Sequence, residues 1–465
     1  LRETKIELLV TSFGSELETL VSDVKRAADS DLLTSDIPAA VLRRALAEVM
    51  AALPVYRTYL GEGAAQPEDE TLVRESVDAA KAHTALEDTT AHDFFARLLL
   101  DPPDAERSPT SEGLRLRVRR RFQQLTGPVM AKSLEDTLFY RYGRFVALNE
   151  VGGDPSRFGV SVDAFHAMNA ERAEHWPASL LGSATHDMKR GEDLRARLLA
   201  LSHRPDAFER LMRAAVAGDG PDVNDRYLMA QTVFGAWPVA EDGAPLAPDD
   251  SFRERLHAYA EKALRESKRR SSWTRPDEAY EAGVKRWLDS LLAGGAWREA
   301  LAEELKPVAL AGRTLALSRV VLKLTSPGAP DFYQGTEFGD FSLVDPDNRR
   351  PVDFEARAHA LRRSGEGASF DAEKQAVAAA LLRDRARSSA LYARGAYAPL
   401  AAPAGWIGFE RRRGGERLQV LACVAPFHAA PAPEPPEGAR NLLSGPAFAK
   451  SGAPALRALV TRSGH

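Results

Sequence analysis

The sequence predicts an α/β protein that is rich in helix and ends in antiparallel β-structure. Three observations lead there: short apolar runs of strand length, long stretches with apolar residues three and four apart between them, and alternating segments near the end. The 465 residues leave room for about three domain-sized units, or for one large barrel with attachments.

Residues 16–59 open the chain as helix, with Leu17, Leu20, Val21 and Val24 and then Val41, Leu42, Leu46 and Val49 on helical spacing. They close on a strand-like segment, Pro54-Val55-Tyr56-Arg57-Thr58-Tyr59. Turn chemistry over residues 101–113 reads as a loop between helical material at 70–100 and 114–126. Short strands are expected at residues 128–131, 179–184 and 320–324, the last running on to Phe332-Tyr333. Short buried strands separated by helices argue for a parallel sheet or barrel. Residues 190–320 read as a mostly helical insertion, and Lys262, Arg265, Lys268, Arg269 and Arg270 as one solvated helix face. Trp176, Trp237 and Trp273 are expected in the core. Near the end, Trp406–Glu410 and Leu418–Val424 alternate and flank the turn residues Gly414-Gly415, the pattern of antiparallel strands. The Pro-rich residues 429–438 read as an extended loop.

Composition narrows the function. Hydrophobic residues make up 44% and charged residues 28%, the balance of a globular chain rather than a disordered one. No apolar run is long enough to span a bilayer, which argues against a membrane partner. With 62 basic against 66 acidic residues the net charge is −4, so no field is available to hold a nucleic-acid backbone. The single cysteine, Cys423, allows neither an intrachain disulfide nor a thiolate metal cluster and suits a reducing cytoplasm. Metal-ligand spacings, phosphate-cradling glycine loops and the G-x-S-x-G elbow are all absent from the sequence, and no cofactor is expected.

Polar groups at the ends of the strand candidates are what remains. The first cluster is Ser183-Ala184-Thr185-His186-Asp187-Met188-Lys189-Arg190-Gly191-Glu192-Asp193, directly after Leu180-Leu181. Ligands of parallel sheets and barrels bind at the carboxyl ends of strands, where such a set could grip a hydroxyl-rich ligand. The same residues also fit a solvated turn in which Asp187 caps the next helix. The second cluster runs from Val129 through Lys132, Glu135 and Asp136 to Tyr142 and mixes donors, acceptors and aromatic faces. It equally fits a helix start with Ser133 as N-cap. The third joins Leu324–Glu337, which contains Tyr333, to Leu343–Asp353, whose Asp345–Asp353 run alone would read as a surface turn.

These pieces, in this order, resemble the maltooligosyltrehalose synthases of the α-amylase superfamily. The resemblance rests on Pro54–Tyr59, Thr126–Lys132 with Glu135-Asp136-Thr137 and Phe139–Tyr142, Leu148–Gly153, Thr185–Arg190, Tyr333–Glu337 and Asp345–Arg350. It implies the later part of a (β/α)8 barrel with large helical insertions, followed by a C-terminal antiparallel β-domain. Residues 1–125 would then be mostly helical insertion and barrel segment, 126–355 later barrel strands with an insertion at about 195–315, and 356–465 a helix and the β-domain.

The implied activity is intramolecular transglucosylation, which converts the reducing-end α-1,4 linkage of a maltooligosaccharide into an α,α-1,1 linkage. By the same resemblance Asp187 is the third superfamily carboxylate, which stabilises an oxocarbenium-like transition state, and His186 its sugar-binding neighbour. Lys132, Lys189 and Arg190 are candidates to hold the terminal glucose, Asp347 and Arg349 to hold sugars deeper in the cleft, and Arg57, Glu135 and Tyr333 join the substrate-binding set. The family nucleophile sits in an Arg-x-Asp strand motif and the general acid is a Glu on the next strand; residues 1–60 hold neither. With no initiator Met and no signal-peptide pattern, the expectation is a C-terminal portion whose partner is the N-terminal portion of the same enzyme. A glucan hydrolase of the superfamily and a noncatalytic glucan-binding subunit are the competing readings.

Overall fold

The computed structural model describes residues 1–104, 108–363, 369–431, 433–434, 437–444 and 458–463. They divide into two units: Leu1–Arg141 with Glu266–Lys268, and Tyr142–Arg265 with Arg269–His465.

The first unit is built on six helices: α1 (Arg2–Thr11), α2 (Gly14–Asp29), α3 (Ala39–Ala52), α4 (Pro67–His83), α5 (Thr90–Leu100) and α6 (Pro109–Leu134). Its core repeats the helical spacing of the sequence. Leu17, Leu20, Val21 and Val24 of α2 pack with Leu42, Leu46 and Val49 of α3 and with Val118, Phe122, Leu125 and Val129 of α6. Phe95 of α5 meets Phe122 edge to face, with ring centroids 5.3 Å apart.

Three expectations fail in this unit. Residues 109–113 are helix rather than loop: Ser108 caps α6 by accepting the Ser111 N–H at 3.2 Å, and Pro109 occupies the first turn, where its missing N–H is no loss. Residues 105–107 of that expected loop lie outside the described residues. Residues 128–131 are not a strand but the penultimate turn of α6, which runs through Pro128. Pro54–Tyr59 adopts no regular secondary structure. Among the described residues no strand pairs with it, and α6 serves it instead: buried Gln123 accepts the Leu60 N–H at 2.6 Å and the Thr58 hydroxyl at 3.2 Å.

The second unit contains α7 (Val162–His175), β1 (Leu180–Leu181), α8 (Glu192–Ser202), α9 (Pro205–Val216), α10 (Val223–Ala236), α11 (Asp250–Ser267), α12 (Glu278–Ala293), α13 (Ala296–Thr325) and β2 (Ala329–Pro330). After these come α14 (Phe354–Arg362), α15 (Phe370–Arg387), α16 (Ser389–Arg394), β3 (Ala396–Leu400), β4 (Trp406–Arg413), β5 (Glu416–Cys423), β6 (Arg440–Asn441) and β7 (Ala458–Ser463). The helical reading of residues 190–320 holds.

Strand β1 is where the sequence put it and pairs with β2 in parallel, Leu180 opposite Ala329 and Leu181 opposite Pro330. Residues 320–324, expected as a strand, are the last turns of α13. Val320, Val321 and Leu324 are buried there against the C-terminal sheet and α15, and a helix covered all round loses its amphipathic signature.

The closing sheet is antiparallel in the order β3-β4-β5-β7-β6. Gly414 and Gly415 join β4 to β5 with φ of 56° and 77°, a two-residue turn that only left-handed residues make without strain. Phe409, Leu418, Val420 and Val460 from the sheet meet Leu317 and Val321 of α13 and Val377 and Leu381 of α15 in one core. Buried Arg411 reaches from β4 to the Thr325, Tyr392 and Gly395 carbonyls, and burial pulls its guanidinium down to about 10. Of the Pro-rich segment, residues 432, 435 and 436 lie outside the described residues. Among the described residues no helix is long and apolar enough to cross a membrane.

Candidate functional site

In the second unit, β1 runs into residues 182–190. Thr185 holds the turn by accepting the Asp187 N–H on its hydroxyl at 3.2 Å and the Met188 N–H on its carbonyl at 3.3 Å. Both side chains at the tip are 60% exposed, with His186 Nε2 3.2 Å from Asp187 Oδ2. The other carboxylate oxygen, Asp187 Oδ1, lies 3.7 Å from Arg349 Nη2, which is also 3.9 Å from Asp345 Oδ2. Asp187 does not cap the next helix: α8 begins at Glu192 with Gly191 as its N-cap. Its carboxylate stays open to a ligand.

The Asp345–Arg350 run lies against this turn. Asp345 and Pro346 are joined by a cis peptide bond, and Asp347–Arg349 form a short 3₁₀ turn. Asp347 is bound by protein: Arg255 grips both carboxylate oxygens at 2.8 and 2.9 Å, and the Leu343 N–H donates at 2.7 Å. Burial works to raise its pKa, but the Arg255 hydrogen bond, the Leu343 amide and the Arg255 and Arg350 charges outweigh that and hold the carboxyl below the usual range. Asn348 donates through Nδ2 to the carbonyls of His186 at 3.0 Å and Met188 at 3.3 Å, and its own backbone carbonyl accepts the Tyr333 hydroxyl at 3.0 Å. Tyr333, His186, Asp187, Asp347 and Arg349 are thus brought together. On α11, Lys262 binds Asp345 at 2.6 Å and Arg265 forks onto Glu281 at 2.9 Å, so these two are not the solvated cations that the sequence suggested.

Lys189 and Arg190 sit below the surface. Arg190 is 1% exposed and spends its guanidinium on the Thr232 hydroxyl, the Val146 carbonyl and the Tyr259 hydroxyl. Lys189 is buried, and its N–H donates to Glu150 at 2.8 Å. Burial raises the Glu150 carboxyl despite the nearby Arg195, Arg190 and Lys189 charges. Trp237 is core as expected, but Trp176 and Trp273 are exposed, 67% and 53%.

Beneath the turn is a buried charge cluster that sequence reasoning missed. Lys374 Nζ lies 2.7 Å from Glu192 and 2.7 Å from Asp193, and Arg319 pairs with Asp193 at 2.7 Å. The hydroxyl of Ser183 donates to Glu192 and accepts from Lys323 at 2.9 Å, while Lys323 Nζ stands 3.7 Å over the Phe332 ring. Ser183, Glu192 and Asp193 stand in the first sequence cluster; what the sequence does not show is their partners, which lie far along the chain.

The remaining candidates belong to the first unit. Lys132 is in the last turn of α6, not at a strand end, and pairs with Asp136 at 2.5 Å. Glu135 accepts the Tyr56 hydroxyl; burial, then that carboxylate, push the phenol well above its ordinary pKa. The Arg57 guanidinium stacks 4.6 Å from the centre of the exposed Tyr59 ring.

Two cavities of the second unit flank the turn and its neighbours. A polar one of about 540 Å³ is lined by Tyr333, Asp347, Asn348, Arg350, Asp353 and Arg357. A larger one of about 610 Å³ is mostly apolar, with Leu181, Leu199, Leu322 and Phe165 beside Ser183 and Lys323. The smaller one carries the polar lining. Among the described residues no group of His, Cys, Asp or Glu is placed to hold a metal ion.

No family model matches the chain. A curated Mycobacterium tuberculosis protein, provisionally named a maltooligosyl trehalose synthase, is 43% identical over 308 residues, 65% of this chain and 38% of that protein. The solved maltooligosyltrehalose synthase of Arthrobacter ramosus superposes with a TM-score of 0.78 at 32% identity, over 99% of this chain and 58% of its own. A hypothetical maltooligosyl trehalose synthase from Sulfolobus tokodaii gives 0.77 at 26% identity, over 100% and 57%. These likenesses bear out the resemblance read from the sequence, over a chain that spans well under two thirds of the length of any of the three.

Proposed function

We propose that this chain, similar in sequence and fold to the later part of a maltooligosyltrehalose synthase, provides part of a glucosylmutase. That enzyme would rearrange the reducing-end α-1,4 linkage of a maltooligosaccharide to α,α-1,1, a retaining transfer within one bound chain. The observation that carries the reading is the open Asp187 carboxylate, presented by the turn after parallel strand β1 between His186 and Arg349. In this reading β1 and β2 are two strands of a (β/α)8 barrel whose other strands lie outside these residues, together with the nucleophile and the general acid. That N-terminal portion is the partner we propose, and the maltooligosaccharide the ligand.

The steps follow from the chemistry. A carboxylate attacks the anomeric carbon while an acid protonates the leaving oxygen; the freed glucose turns and re-attacks through its anomeric hydroxyl. Asp187 would bind sugar hydroxyls and stabilise the positive charge that develops on the ring, with His186 as a second hydrogen-bonding group. Arg349 orients the carboxylate. Tyr333 and the polar cavity beside it would take a neighbouring glucose. The burial of Lys189 and Arg190 supports a role in shaping the turn rather than in touching sugar. Buried Cys423 supports a cytoplasmic location.

The test is Asp187→Asn in the complete enzyme, followed by the loss of reducing ends from maltohexaose. A fall of about a hundredfold or more is expected for removal of a charge that meets the transition state; an unchanged rate overturns the assignment. New reducing ends would instead identify a hydrolase. This chain alone is expected to consume none, and consumption would show that nucleophile and acid lie within these residues.

A further inference from the structure

We infer that Asn348 is a positioning residue for the Asp187 carboxylate, an inference that rests on the reading of Asp187 just given. The side chain offers two hydrogens from one nitrogen, and both are used on the same turn: Nδ2 meets the His186 carbonyl at 3.0 Å and the Met188 carbonyl at 3.3 Å. Those carbonyls flank Asp187 on either side. Two carbonyl oxygens facing one amide group also fix its orientation, since only the NH₂ end can satisfy them. Oδ1 is left buried without a protein partner among the described residues, so the two donated bonds are what the side chain contributes.

Asn348 is itself held from both ends. Its backbone carbonyl accepts the Tyr333 hydroxyl at 3.0 Å, and the preceding Asp347 is locked by Arg255 and the Leu343 N–H. Arg349, next along the same 3₁₀ turn, faces Asp187 itself at 3.7 Å. One rigid turn therefore fixes the backbone under Asp187 through Asn348 and faces its charge through Arg349. Besides Asn348, Thr185 holds the tip from its own strand side, through its hydroxyl and its carbonyl. An error of about an ångström in a catalytic group can lower a rate by about a hundredfold without any loss of ground-state affinity.

The experiment uses the complete enzyme with Asn348→Ala and the near-isosteric Asn348→Leu, each checked for folding by its melting curve. Expected is a fall in kcat of tenfold or more with KM within twofold. In an Asp187→Glu background, where the carboxylate is already displaced, the same substitutions should lower kcat by less than twofold. A kcat within twofold of the parent, or an equal loss in both backgrounds, overturns the inference; if one variant fails to fold, the other carries the test. Asp187→Asn run alongside separates the two ideas. Full activity there removes the reading of Asp187 and this inference with it, whereas an inactive Asp187→Asn beside neutral Asn348 variants removes this inference alone.

Discussion

The Lys374 ammonium bridges two buried carboxylates, 2.7 Å from Glu192 and 2.7 Å from Asp193, at the start of the helix that follows the His186–Asp187 turn. The three side chains are at most 1% exposed. Removing the cation would leave two carboxylates with Arg319 as their main compensation. Lys374→Met is expected to destabilise the protein by about 3–5 kcal/mol, the range for a buried pair that loses one partner, and urea denaturation measures it.

Acid should reach the same cluster. Burial pushes the Glu192 carboxyl up, but the charges of Arg319, Lys374 and Lys323 and the Lys374 hydrogen bond overcome this and hold it well below its ordinary 4.5. A carboxyl lowered in the folded state contributes stability that is complete above the ordinary value and is lost as pH falls towards the folded one. Urea midpoints measured from neutral pH downward should hold until about pH 4.5 and then drop. In Glu192→Gln the drop should be shallower. Equal acid limbs in the two proteins would reject the linkage.

Arg190 and Arg349 should part company on mutation. Arg190 is buried with three protein acceptors, so Arg190→Met is expected to cost about 3 kcal/mol and to lower activity only through the fraction folded. Arg349 is half-exposed in a 3.7 Å pair, a contact worth less than about 1 kcal/mol to the fold. Arg349→Gln should keep the melting temperature and, on the role proposed for Asp187, lower transglucosylation by the complete enzyme about tenfold. Calorimetry beside kinetics decides.

Lys323 should be the lysine that acylates first at mildly alkaline pH. Desolvation brings its amine down to about 8, whereas an ordinary lysine is almost wholly protonated there. Its side chain lines the larger cavity, which gives a small reagent access. Limiting acetic anhydride at pH 8, followed by peptide mass spectrometry, should find Lys323 modified ahead of exposed Lys132. At pH 6 Lys323 should still lead, but its modification should slow about fiftyfold as the amine becomes almost wholly protonated.

Much of this was legible in the sequence, and the failures have physical causes. Amphipathic helices such as α2 and α3 announce themselves because one face meets water. The last turns of α13 do not, since packing on several sides makes Val320-Val321-Leu322-Lys323-Leu324 as apolar as a buried strand. The Ser108-Pro109 pair reads as turn chemistry, although Ser followed by Pro is also how a helix begins. In the site, His186 and Asp187 were visible because they follow an apolar strand. The roles of Asn348 and Lys374 were not, because nothing local to either residue marks a partner that lies 162 or 182 residues away.

Strand β1 meets β2 only across roughly 150 intervening residues, most of them helical. Closing so long a loop earns just two residue pairs of ladder, so the pairing cannot nucleate anything. Helices between the strands, stabilised by neighbours near in sequence, must form first and carry the two ends together. The turn that bears His186 and Asp187 is therefore among the last parts of the second unit to take shape, and substitutions in it should speed unfolding while leaving the folding rate nearly untouched.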